Sequence, residues 1–451
     1  MDERFIELAS VGQRTAALAA GARPLRAEYP PMAGAERWIR DCLFLATFLL
    51  TWFTVSPFPD LSDPSLLAPQ TSGDLLGQIS MVVLTGALAA FAVVKRSALV
   101  TRMVSAPLVL TLFFFAISAL LSAYPDVALR RLLLAVFTIF QATTILLLPN
   151  GREHFARLLA TGAFIVLAAC YIGVALFPQY SIHQASDIAE PGLAGDWRGF
   201  FTHKNGAGAA MVLLVFIGIY VCRTWDRFAG IAIIVLACIF LQFSHSKSPR
   251  NLLPVVLAMS YLIPRLRSGL LALGLIVLVP LAINLLTVGS IMFAPIGNLI
   301  NASLSDPTYD GRDVIWRFAL DHVAERPLFG FGYESFWRMP NLVAEWNYLE
   351  SWGYRASDAH NGYLNLAVTT GLVGLGLALV WLVGQGFVDY RRAWVRGADP
   401  ALLTLFLQIW LFGLFLAGFE SVFFGGGSCL WFLMITAIAG MRFQTVARSS
   451  A

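Results

Sequence analysis

The chain has 451 residues, of which 58% are hydrophobic and only 13% charged, with a formal net charge of +4 and a mean hydropathy of +0.72. A water-soluble domain needs far more polar surface to cover its core, so composition excludes that class and points to a membrane protein. At about 20 apolar residues per span the length holds roughly 12 spans and one sizeable loop, which leaves no room for a separate soluble catalytic domain.

Residues 1–40 carry Arg4, Arg14, Arg23, Arg26, Arg37 and Arg40 before any apolar stretch. They are too long and too polar for a secretory signal peptide and read as a cytoplasmic tail. Apolar runs follow near 41–58, 75–94, 104–122, 132–149, 158–178, 205–222, 228–243, 251–263, 270–293, 363–389, 401–420 and 428–441. They predict an all-α integral membrane protein: spans 1 to 9 within 41–293, a long outer loop at 294–362 containing short helices, spans 10 to 12 within 363–441, and a tail at 442–451. An even number of spans puts both termini on one side. The positive-inside rule makes that side the cytoplasm, because 20 of the 31 Lys and Arg fall in the loops assigned to it.

The outer exceptions are concentrated in compact segments rich in Gly and aromatic residues. The first is Trp197 to Gly206, where Arg198, His203, Lys204 and Asn205 stand at the mouth of a helix. Free N–H groups and the helix dipole would add to the two cations and make an anion cradle. An interfacial anchor of cations and aromatic rings is an equally good account. The second is Ser244 to Arg250, a very short turn that needs no His245, Lys247 or Arg250 for turning, with a snorkelling pair as the alternative. The third runs from Gly311 through Arg312 and Trp316 to Arg326 and Tyr333. It opens with an amphipathic helix bearing Val314, Phe318 and Val323 on one face, started near Asp310 or Asp313 and ended by Pro327. Arg312 near its start could grip phosphate with both prongs of its guanidinium. The fourth is Asp358-Ala359-His360-Asn361-Gly362-Tyr363. His360 is the best general-base candidate there, since only His titrates near neutral pH without special tuning; helix capping is the bland alternative. Glu420, toward the end of the eleventh run, is an intramembrane carboxylate whose expected partner is one of the outer arginines. The five cysteines lie in or beside apolar runs, so neither a disulfide framework nor a metal cluster is expected. There is no HExxH, CxxC or Walker loop.

Taken together, WRGFFTHKN (197–205), SHSKS (244–248), GRDVIWRFALDHVAERPLFGFGYESFW (311–337) and DAHNGYLN (358–365) with GLVGL (371–375) resemble the O-antigen ligase and polymerase superfamily, especially its exopolysaccharide-polymerising, ExoQ-like branch. The resemblance covers roughly residues 195 to 425; residues 1–150 match only as hydropathy. It implies a GT-C-like fold and a metal-independent glycosyltransferase without cofactor. The donor would be an undecaprenyl-diphosphate-linked oligosaccharide in the bilayer of the bacterial inner membrane, used on the periplasmic face. Partners would be a chain-length regulator and export machinery rather than nucleic acid. It implies catalytic roles for His360, Arg312 and Arg198, and substrate binding by His203, Lys204, Asn205, Lys247, Trp316, Arg326, Asn361 and Glu420. Where that branch reads Ser-Lys-Thr, this chain has Ser246-Lys247-Ser248 followed by Pro249. Ligation to lipid A core remains open beside polymerisation, and so does the choice of His360 or His203 as base. A transporter would need midplane cations and repeated halves, neither of which the sequence displays.

Overall fold

Long apolar runs form helices in a bilayer because no water is present to satisfy exposed backbone groups. The computed structural model describes residues 34–53, 57–63, 75–303, 308–338, 357–425 and 428–446. The chain divides into a unit of residues 1–40 and one of residues 41–451, and the site lies wholly within the second. The principal helices are α1 (Gly34–Leu50), α2 (Leu75–Met103), α3 (Ala106–Leu120), α4 (Pro125–Thr144), α5 (Arg152–Leu176), α6 (Lys204–Thr224), α7 (Arg227–Phe243), α8 (Lys247–Leu262), α9 (Gly269–Leu286), α10 (Val288–Met292), α11 (Ala294–Ser303), α12 (Arg312–Glu325), α13 (Gly362–Leu379), α14 (Gly386–Val395), α15 (Pro400–Leu416) and α16 (Cys429–Val446). A π-helical turn, Val380–Gln385, joins α13 to α14.

Each of the twelve apolar runs overlaps these helices, ten of them a single one, while 270–293 covers α9 and α10 and 363–389 runs from α13 into α14. Among the described residues, six helical stretches are long and apolar enough to cross a membrane, and α3, α7, α15 and α16 are shorter apolar helices. The protein is a multi-pass, all-helical membrane protein. Its helices sort by what they face: α6 is buried along almost its whole length, packed against α5, α7, α8, α15 and α16. α2 and α9 keep most of their apolar side chains exposed, Leu75, Val93, Leu270 and Leu281 among them, as surfaces solvated by lipid do.

α13 is broken. Gly371 adopts φ 71°, ψ 177°, so the helical ladder is interrupted and main-chain groups on either side lose their partners. Residues 327–332 supply partners for four of them. Phe331 N donates to Val368 O (3.1 Å), Gly332 N to Thr369 O (2.9 Å), Leu372 N to Pro327 O (2.7 Å) and Val373 N to Leu328 O (3.4 Å). The approach is too close for side chains at either contact point. A Cβ on Gly371 would lie 2.2 Å from Leu328 O, and one on Gly330 would lie 2.6 Å from Gly371 N. The Gly-Phe-Gly run and the Gly371 that follows the fourth motif are thus two halves of one joint.

α12 forms where the amphipathic pattern places it and ends before Pro327. Its most buried residues, however, are Ile315, Trp316, Ala319 and His322, whereas Val314, Phe318 and Val323 are only partly covered. The buried stripe is rotated by about one residue because the helix packs against both α13 and α10. Trp346, Trp352 and Arg355 lie outside the described residues, as do residues 1–33.

Candidate functional site

Four stretches distant in sequence converge on the carboxylate of Glu420, which lies four residues beyond the end of α15 rather than inside it. Its Oε1 accepts hydrogen bonds from Arg312 Nη2 (3.0 Å) and Asn205 Nδ2 (3.0 Å). Its Oε2 faces His360 Nδ1 at 3.4 Å. Asn205 Oδ1 in turn accepts from Ser246 Oγ (3.2 Å). Residues from three of the motifs therefore meet at a single acid, and Ser246 of the second joins them through Asn205.

Local backbone geometry delivers each group. Tyr309, Asp310 and Gly311 have φ of 54°, 59° and 78°, a left-handed turn that brings Arg312 onto the first turn of α12, where its other prong donates to Phe419 O. Asn361 caps α13, with its Oδ1 accepting from Tyr363 N and Leu364 N, both at 3.0 Å. Its amide nitrogen reaches Asn284 Oδ1 (2.9 Å) and Gly418 O (3.1 Å), and Gly362 N donates to Ala417 O (2.7 Å). The start of α13 is thereby clamped to the chain just after α15. His360, in the preceding position, is held at φ 45°, a costly conformation for a non-glycine residue, with its N–H on Asp358 Oδ1 (2.8 Å). Trp316 is fully buried and its Nε1 donates to Ala359 O (3.0 Å), tying α12 to the residue before His360.

The charges are coupled. Burial alone would push Glu420 up, but Arg312 and His360 hold it down at about 2. Burial pulls His360 down, yet the hydrogen bond to Glu420 and the charges of Asp358 and Glu420 outweigh it and leave the imidazole raised above its ordinary value.

The first motif is otherwise taken up by its own loop. Arg198 is completely buried, donating to Phe201 O (2.9 Å) and Pro59 O (2.8 Å). Lys204 pairs with Asp196 at 2.6 Å, whose other oxygen faces His245 Nδ1 at 2.7 Å. His203 caps α6: its Nδ1 accepts from Asn205 N (3.1 Å), and its Nε2 lies 2.8 Å from Glu190 Oε2. Arg326 is exposed, its guanidinium 4.6 Å over the Phe331 ring. Lys247 is exposed on the first turn of α8 and makes no hydrogen bond or ion pair among the described residues. Of the residues named from the sequence, Asn205, Arg312, His360 and Glu420 share one cluster, with Asn361 and Trp316 supporting it; Arg198, Lys204 and Arg326 are engaged elsewhere. Sequence reasoning passed over Asn284, although a lone amide inside an apolar span is a readable signal. It also passed over Asp196 and Glu190, whose pairing with Lys204 and His203 depends on the path of the loop between them and follows no helical or strand spacing.

Residues 232–379 match the family model described as O-antigen ligase. Over 110 residues the chain is 32% identical to the exopolysaccharide production protein ExoQ of Rhizobium meliloti (strain 1021), a stretch that covers 24% of this chain and 25% of that protein. The match thus spans about a quarter of that relative's length. Through this region the chain is similar to the O-antigen ligase and ExoQ-like family, the one its motifs resemble. Trp197 to Gly206 and Glu420 lie outside the residues matched by the family model, so their place at the site comes from the geometry.

Proposed function

We propose that the chain is a metal-independent glycosyltransferase of the GT-C type that polymerises exopolysaccharide, or O-antigen, repeat units. It takes glycan from undecaprenyl diphosphate at the periplasmic face of a bacterial inner membrane, with both termini in the cytoplasm. The observation that carries this reading is the meeting of Asn205, Ser246, Arg312 and His360 around Glu420.

In the proposed reaction the acceptor hydroxyl oxygen bonds to the anomeric carbon of the donor, and the bond from that carbon to the diphosphate oxygen breaks. The electron pair leaves with the diphosphate and the hydroxyl proton passes to His360. Glu420 beside Nδ1 favours the tautomer that carries a proton there, which makes Nε2 the basic nitrogen, and it stabilises the imidazolium that forms. His203 suits this role poorly, because its Nδ1 lone pair is used to cap α6. Arg312 and Lys247 stabilise the charge on the leaving diphosphate, and one such preorganised contact is worth about 3–4 kcal/mol. No metal is required of this scheme, since cations supply the electrostatic stabilisation. Arg198 and Lys204 contribute by holding the loop that presents Asn205.

The test is turnover of an undecaprenyl-diphosphate oligosaccharide by the purified protein in liposomes, with EDTA and without ATP. A ladder of longer glycans that stay on the carrier, lost in folded His360→Ala and Arg312→Ala proteins, supports polymerisation. Ligation is the second reading, favoured by the description of the matching family model; glycan leaving the carrier for a lipid A core acceptor would select it. No turnover with either acceptor would overturn both and favour transport.

A further inference from the structure

The outer loop before α6 is firmly anchored. Ile182 and Trp197 form an antiparallel bridge, Asp196 ties the loop to Lys204 and His245, and His183 pairs with Asp187 at 2.8 Å. Within this frame Glu190 stands apart. Its side chain is 48% exposed, against 24% for Glu420, 15% for Asp196 and 5% for Asp187, so of these four carboxylates it is the one open to solvent. It is not loose, however. His203 Nδ1 is occupied as an acceptor by Asn205 N–H, so the imidazole proton lies on Nε2 and is donated to Glu190 Oε2. Glu190 is therefore fixed as an acceptor. The same Asn205 bonds Glu420, which faces His360, so a continuous chain of contacts runs from Glu190 to the base. Burial pushes the Glu190 carboxyl up, but the hydrogen bond from His203 outweighs it and holds the carboxyl below its ordinary value.

A half-exposed, oriented carboxylate at the rim of a site for hydroxyl chemistry has two effects. It accepts hydrogen bonds from sugar hydroxyls, and it repels a second anion brought to the same place. We propose that Glu190 is a specificity residue for the acceptor, binding the hydroxyls of an uncharged terminal sugar and disfavouring one that bears a carboxylate beside the attacking hydroxyl. This rests on the glycosyltransferase reading, and the experiment keeps the two apart.

Saturation-transfer NMR on the full chain in nanodiscs would compare a neutral oligosaccharide with the same oligosaccharide ended by a uronic acid. The expected preference of the wild type for the neutral ligand is about tenfold at low salt, a size typical of one unfavourable charge contact near a surface. It should shrink when salt rises from about 20 mM to about 500 mM, because the Debye length shortens. Glu190→Gln should remove most of the preference and Glu190→Asp should keep it. Equal affinities in the wild type, or a salt-insensitive preference, would overturn the proposal even if the Gln variant failed to fold, and so would an unaltered preference in a folded Glu190→Gln protein. Turnover of the lipid-linked donor is read on the same samples. Turnover with an unaltered preference sinks Glu190 alone, whereas the expected preference without turnover sinks the transferase reading and leaves a sugar-binding carboxylate.

Discussion

Arg198 and Arg312 look alike in the sequence: each stands beside a glycine and close to aromatic residues, in a compact segment before a helix. The folded chain treats them oppositely. Arg312 extends to a carboxylate shared with His360 and Asn205, whereas Arg198 is turned inward and spent on two backbone carbonyls. A cation in a glycine-rich motif is thus no guide to what it faces; the acceptors supplied by distant residues decide. Phe419 and Glu420 lie 107 and 108 positions from Arg312, and Pro59 lies 139 from Arg198.

Substitutions should separate the two regions. The largest effect is expected at the Glu420 cluster: His360→Ala should lower turnover by about 10²–10⁴-fold, as loss of a positioned proton acceptor does. Arg312→Ala should lower it by about 10²–10³-fold. Measured in the same detergent, His360→Ala should keep a thermal midpoint closer to the wild type than Arg312→Ala, which leaves Phe419 O and the Glu420 carboxylate short of a donor. Arg198→Ala should show the reverse pattern. It leaves two carbonyls short of a donor, at about 1–3 kcal/mol each, so yield and midpoint should fall while turnover per folded molecule falls far less than in His360→Ala. Arg198→Lys should restore little, because an ammonium cannot serve both carbonyls in the planar geometry of the fork. If the two sites respond alike, the distinction drawn here is wrong.

The pH profile sharpens the same contrast. His360 is raised by its contacts with Glu420 and Asp358, so its basic form appears only as pH climbs through that raised value, and activity should rise there. Removing the charge with Glu420→Gln should move this limb to lower pH. The stabilising share of His360 is complete below its ordinary value and is lost as pH rises through the raised one. That of Glu420 is present above the ordinary carboxylate range and is lost as pH falls toward about 2. Denaturation followed against pH should therefore lose the benefit of this pair on both sides in the wild type and show neither loss in Glu420→Gln. The smallest effect is expected for Lys204→Ala, whose partly exposed pair with Asp196 is worth about 1 kcal/mol or less, read as a small drop in midpoint that Lys204→Arg restores.

The helices were legible in the sequence because an apolar run has few other options in lipid; all twelve runs fall on helices. The four motifs were legible as concentrations of charge in compact segments, most of them rich in glycine and aromatic residues. Two things were less so. The rotation of the buried face of α12 toward Ile315 and Ala319 depends on two neighbours at once, which periodicity cannot express. The convergence on Glu420 was legible only in part: an outer arginine was its expected partner, and Arg312 is that partner, whereas the contacts across 215 residues to Asn205 and 60 to His360 left no mark in the pattern around it.

The joint at Gly371 has an evolutionary consequence. Residues 327–332 are fastened to α13 by main-chain groups, and such a fastening makes no demand on the exposed side chains of Leu328 and Leu372 so long as the glycines at 330 and 371 persist. Mutational drift along this stretch can therefore proceed without uncoupling it from the helix that begins just after His360. The surface of this segment is in that way free to diversify while the helix it is fastened to keeps its place.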